Sequence, residues 1–197
     1  GFLNFFVKAE AWRDSLKDIL TNGEEFLRSN HGQGQKILVE YVSANPTGPL
    51  HFAHGRGAVT GDVIARLLDC IGYDVEREYY VNDQGNQTDV LARSIHVRYQ
   101  ELFGQEVEHP EDFYPGEYVN EIAECLRKEE GDKFLGQPEE SWLSVFRTRG
   151  IELMRERIKE DLTTLGVDFD SWVSERDLTA RLDLDGMIER LQEKGHV

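Results

Sequence analysis

Two histidines, His51 and His54, stand three residues apart, with Gly48, Gly55 and Gly57 around them. At the start of a helix, imidazoles at this spacing can donate hydrogen bonds to phosphate oxygens as charge shifts during phosphoryl or nucleotidyl transfer. The helix N-terminus adds unpaired N–H groups and the positive end of the macrodipole. Glycines let backbone and ligand approach closely. The competing reading is a structural pair in an ordinary turn, the commoner case for an isolated His-x-x-His. Zinc fits worse, since it needs at least a third ligand and no Cys or His is suitably close. No protein-bound metal is expected.

What decides between the first two readings is position, and position is set by the flanking elements. Lys36 to Val42 is a mostly apolar, β-branched run of the kind that forms a buried strand. The loop Ser43-Ala44-Asn45-Pro46-Thr47-Gly48-Pro49 interrupts it. From His54 to Ile71 the apolar residues fall at helical spacing, with Gly72 where a helix should stop. Tyr73 to Val81 then reads as a second strand. Strand, loop, helix and strand in that order make a βαβ unit with a parallel sheet, pairing residues 37–42 with 75–81. Ligands of such sheets bind outside the carboxyl ends of the strands, where the histidines fall. A phosphate site is the better reading.

Residues 10–29 suggest an earlier helix with Trp12, Leu16, Ile19 and Leu20 on one side, followed by a polar linker. Beyond Asn82 helical patterns dominate, over 87–103, 117–128 and 143–165. A short strand near 169–173 and a last helix near 185–194 follow. Trp12, Trp142 and Trp172 read as packing residues, and His31, His96, His109 and His196 as surface or incidental ones. Cys70 and Cys125 lie in apolar helical patterns, where a buried free thiol is the default, in keeping with a reducing cytoplasm. No apolar run approaches the roughly 20 residues that span a bilayer. The formal net charge of −16 argues against nucleic-acid binding by the bulk surface, so any RNA role needs a local basic patch or other parts of the protein.

The run Val39-Glu40-Tyr41-Val42-Ser43-Ala44-Asn45-Pro46-Thr47-Gly48-Pro49-Leu50-His51-Phe52-Ala53-His54-Gly55-Arg56-Gly57 resembles the first signature of bacterial-type arginyl-tRNA synthetases. Tyr79-Tyr80-Val81-Asn82-Asp83-Gln84-Gly85-Asn86-Gln87 resembles the same family's segment leaving the second strand. The likeness runs the length of the chain. It implies an α/β fold: the first half of a class I synthetase nucleotide-binding fold, Rossmann-like with parallel strands, followed by a mainly helical insertion. The implied division is 1–34, tail of an N-terminal add-on domain and linker; 35–87, first half of the nucleotide-binding domain; and 88–197, the helical insertion.

The activity implied is activation of L-arginine by ATP, with Mg²⁺ accompanying the nucleotide, and transfer to tRNA(Arg). His51 and His54 would bind ATP phosphates and stabilise the transition state, with Gly48, Gly55 and Gly57 completing the nucleotide site. Glu40, Ser43 and Asn45 would hold arginine, Asn45 near the α-amino group. For Glu40 the alternative is a carboxylate paired with a neighbour; a buried unpaired charge is costly, and a cationic substrate would neutralise it. Arg56 either reaches phosphate or braces the helix start. Asn82, Asp83, Gly85 and Asn86 read as builders of the turn out of the sheet. Ala53 replaces the family's usual glycine, and its methyl group stands where adenine needs room.

No Lys-Met-Ser-Lys-Ser-like segment and no anticodon-binding domain follow. The expectation is a piece of a longer ligase, inactive by itself, whose open half-sheet favours self-association. The alternative is a free-standing, non-catalytic binding or accessory protein.

Overall fold

The structure, a computed structural model, describes residues 1–196. Strand β1 (Lys36–Glu40) leads through a loop into helix α2 (Phe52–Cys70) and back to β2 (Asp74–Val81). β1 and β2 pair in parallel, Lys36 opposite Asp74 and Glu40 opposite Glu78. Ahead of them lies α1 (Ala9–Asn22), ended by Gly23 at φ 55° and followed by a 3-10 turn over Gly23–Leu27. The helix expected over 10–29 is thus shorter.

α3 (Asn86–Leu102), α4 (Glu117–Glu130) and α5 (Glu139–Thr164) form the helical region. Strand β3 (Ser171–Ser174) returns to the sheet and pairs in parallel with β2, giving the order β1-β2-β3. The strand expected near 169–173 is therefore part of the same sheet as β1, and α3 to α5 form one long crossover between β2 and β3. α6 (Glu175–Arg181) and α7 (Leu184–Glu193) follow. The polar text of α6 hides it from apolar periodicity, but Ser174 caps it, accepting the Asp177 N–H at 3.1 Å.

Two cores result. Leu91, Ile95, Tyr99, Leu126, Trp142 and Phe146 centre the helical one; Tyr41, Ala58, Tyr79, Ile158, Leu162 and Val167 centre the other, under the sheet. α5, 26 residues and so about 39 Å long, supplies both.

Several expectations fail against this packing. β1 is an edge strand with one covered face, so its burial alternates, and Leu38 is 54% exposed. Trp12 is 67% exposed on a helix whose apolar side packs on little beyond the neighbouring 3-10 turn. Trp142 and Trp172 do pack, Trp172 stacking on Tyr79 at 4.2 Å. His96 is buried rather than superficial, its ring stacked on Trp142 at 3.7 Å and nearly parallel to it. Its position on α3 among Leu91, Ala92, Ile95 and Tyr99 explains the burial. Cys70 and Cys125 are free and half-buried.

Candidate nucleotide and amino-acid site

β1 ends abruptly at Glu40. Ser43 N–H donates to the Tyr41 carbonyl at 2.9 Å, and Val42 and Ser43 take φ of 65° and 41°. A β-branched residue there is an outlier, costing on the order of 1–3 kcal/mol. The turn persists because its surroundings over-determine it. The Ser43 hydroxyl donates to the Glu40 carboxylate, and it accepts the Tyr80 N–H at 3.1 Å. The Tyr79 hydroxyl donates to the Ala44 carbonyl at 3.0 Å. Farther along, the Asn45 side-chain amide donates to Gln87 at 2.7 Å, and the Tyr118 hydroxyl donates to the Thr47 carbonyl at 2.8 Å. Strain held in place at a strand end is what a binding loop shows.

Glu40 itself is exposed, so desolvation gives it no need of a cation. Its register partner is Glu78. Opposed like charges destabilise a sheet. A cationic ligand near the pair would relieve that repulsion.

At the other end of the loop, His51 is the N-cap residue of α2 with extended backbone, φ −122° and ψ 174°. Its N–H donates to His54 Nδ1 at 3.3 Å, and the two rings stack with centroids 3.7 Å apart. Burial, and secondarily the neighbouring His51, hold the His54 pKa below the usual imidazole value. At neutral pH His54 is therefore uncharged. With Nδ1 accepting from the backbone, the ring proton sits on Nε2, which can donate outward. The pair thus presents an N–H donor beside the open first turn of a 19-residue helix, an arrangement suited to an anion.

The glycines divide by what surrounds them. At Gly61 a Cβ would fall 2.3 Å from the Tyr41 ring, so packing against the sheet requires glycine. At Gly55 and Gly57 a Cβ would meet nothing within 4 Å. Each costs the helix roughly 0.5–1 kcal/mol relative to alanine with no intramolecular return. Open space at the first turns is room for a ligand. At Gly48 a Cβ would come 3.4 Å from the Tyr118 hydroxyl, an ordinary contact.

Arg56, by helical geometry, points about 160° away from His54. It shares a stripe with Phe52, Val59, Val63 and Leu67, all at least 47% exposed. Its Cβ therefore lies on the helix face opposite that of His54. Ala53 is exposed on the first turn. Asp83 is a structural clasp: its buried carboxylate accepts the Ser174 hydroxyl at 2.6 Å and the Arg176 N–H at 2.9 Å, tying β3 and α6 to the end of β2. Gly85, at φ 90°, makes the turn into α3.

The structure thus joins Glu40 to Ser43 and His51 to His54, and ties Asn45 to α3. The supports Tyr79, Gln87 and Tyr118 escape sequence reading, because each acts across a long separation. Among the described residues no group of three His, Cys, Asp or Glu side chains could hold a metal, and no helix is long and apolar enough to cross a membrane.

A parallel βαβ unit with a histidine pair capping its crossover helix has the form of a class I aminoacyl-tRNA synthetase catalytic region. A solved chain provisionally described as an arginyl-tRNA synthetase, from Campylobacter jejuni, superposes with a TM-score of 0.82 at 37% identity, over 94% of this chain and 40% of that one. The chain belongs to the family described as tRNA synthetases class I (R), catalytic domain, whose model matches residues 15–156. Curated relatives named arginine–tRNA ligase, from Ruegeria sp. (strain TM1040) and Roseobacter denitrificans, are each 50% identical over 195 residues, or 99% of this chain. The chain spans about a third of their length, 34% in both cases.

Proposed function

We propose that the chain is the part of an ATP-dependent arginine–tRNA ligase that binds the ATP phosphates and one side of the arginine. The observation that carries this reading is the stacked His51–His54 pair locked at the start of α2, at the carboxyl end of β1. His54 Nε2 donates to phosphate; Gly55 and Gly57 leave room for the nucleotide, and Gly48 belongs to the loop that borders it. Glu40, oriented by Ser43, offers a carboxylate to the guanidinium, and Asn45 takes the α-amino group. Mg²⁺ bound with the nucleotide neutralises phosphate charge. The three pieces divide near residues 34 and 87, the helical insertion beginning at α3. Its β3 strand, paired with β2, serves the sheet as well. L-arginine, ATP and tRNA(Arg) are the substrates. The free thiols of Cys70 and Cys125 suit a reducing cytoplasm. The open edge of β1, with exposed Leu38, supports self-association of the isolated chain.

In the full-length ligase, His54→Ala should slow arginyl-adenylate formation by a factor corresponding to about 2.7–4 kcal/mol while weakening ATP binding far less. Pre-steady-state adenylate formation with tRNA present measures this. An unchanged rate would remove His54 from the mechanism.

A further inference from the structure

Away from the histidine pair, α4 and α5 diverge to leave a cleft of about 330 Å³. That is within the range of small-molecule sites. Ile122, Cys125, Leu153 and Met154 give it an apolar lining, and Glu121, Glu156 and Glu160 contribute three carboxylates. The only cation of the lining, Arg157, is held by Glu121 at 2.8 Å. Glu156 and Glu160, both exposed, have no ion-pair partner among the described residues and stand one turn apart on α5, about 6 Å along the axis. Like charges at that spacing destabilise a helix. No ion pair among the described residues offsets them. The lining carries a net negative charge beside an apolar surface, which complements a cation with an aliphatic body.

We propose that this cleft binds an aliphatic polyamine, with its methylenes on the apolar lining and its ammonium groups at Glu156, Glu160 and Glu121. A free amino acid fits less well, because its own carboxylate would meet three others. The remaining lining residue, Tyr118, is also the residue whose hydroxyl holds the Thr47 carbonyl at 2.8 Å. A ligand in the cleft therefore touches a side chain that anchors the loop between Asn45 and His51. The proposal does not depend on the assignment of that loop to arginine and ATP.

The test uses spermidine as the probe, with calorimetry for affinity and alkylation of Cys125 followed by mass spectrometry for location. Cys70, remote from the cleft, is the internal reference. Spermidine should slow alkylation of Cys125 and leave Cys70 unchanged, whereas Mg²⁺ and arginine at equal concentration should protect neither. Glu156→Gln with Glu160→Gln should weaken spermidine binding roughly five- to thirtyfold. The same charge change placed elsewhere, Glu106→Gln with Glu108→Gln in an exposed loop, should leave it within about twofold. Equal losses in the two double variants, or no selective protection of Cys125, would show diffuse attraction to an acidic chain and overturn the site. So would the absence of measurable binding.

Discussion

Between α3 and α5 the interior is filled with rings. Phe146 meets Tyr99, Phe134, Trp142 and His96 edge-on at 5.2–5.6 Å, and none of it faces solvent. Around β1 the packing is of another kind. α2 lays small residues, Ala58, Gly61 and Ala65, against the sheet, and turns Phe52, Val59, Val63 and Leu67 outward. The helical region completes its own core. The sheet region leaves apolar surface open and keeps a strained turn at β1. Parallel sheets normally have both faces covered, and here the face that bears Leu38 is open. The aromatic packing is concentrated in one region, and the strained loop and the histidine pair in the other.

The contrast can be broken most directly at Phe146. Phe146→Ala removes the ring at the centre of the helical core and should cost about 3–5 kcal/mol in urea unfolding. A cost below about 1 kcal/mol would mean that this core is not the stabilising one. Gly61→Ala should cost about 1–3 kcal/mol, because its methyl would strike the Tyr41 ring and push α2 off the sheet. Gly57→Ala, on the same helix but in open space, should instead stabilise by roughly 0.5–1 kcal/mol. Opposite signs at Gly57 and Gly61 are the result that matters. In the full-length ligase Gly57→Ala should also raise the KM for ATP if that space is reserved for nucleotide.

The smallest effect is a pH slope. Burial holds the His96 pKa below the ordinary 6.5, outweighing the Phe134 carbonyl and Glu139, which favour the charged form. The unfolded chain therefore binds a proton more readily than the folded one. Stability should be unaffected by this group above pH 6.5 and fall as the pH drops from there toward the folded-state pKa. His96→Phe should flatten that part of the pH profile, and an unchanged profile would show that His96 does not set it.

The βαβ order, the parallel pairing of its two strands and the placement of the histidine pair were legible because the elements that set them are marked locally. Apolar periodicity sets α2, Gly72 stops it, and the Asn45 to Pro49 loop separates strand from helix. The rest depended on which surfaces meet. Val39 and Leu38 look alike as text, but only the sheet's topology leaves Leu38 uncovered. Trp12 reads as a core residue until its helix lacks a partner, and His96 as incidental until Trp142, far along the chain, stacks on it. α6 has few apolar residues to mark it. In the site, the histidines were visible from spacing, and Glu40, Ser43 and Asn45 only through family likeness. The tyrosines that fix the loop were not visible, because Tyr79 and Tyr118 reach it across separations of 35 and 71 residues.

The position of β3 bears on how the chain folds. Its register partners on β2 are about 90 residues earlier, so pairing them from a disordered chain would close a long loop before any contact repaid the entropy. The α3–α5 region lies wholly inside that loop and makes its contacts at much shorter range. Once it condenses, α5 carries its own C-terminal end, with Ile158 and Leu162, to the underside of the sheet, and β3 follows within seven residues. The helical region thus acts as the splint that brings the third strand home. Docking of β3, with the Asp83 clasp on Ser174 and Arg176, should be the last native step to form and the first to open, the β1–α2–β2 unit having been assembled without it.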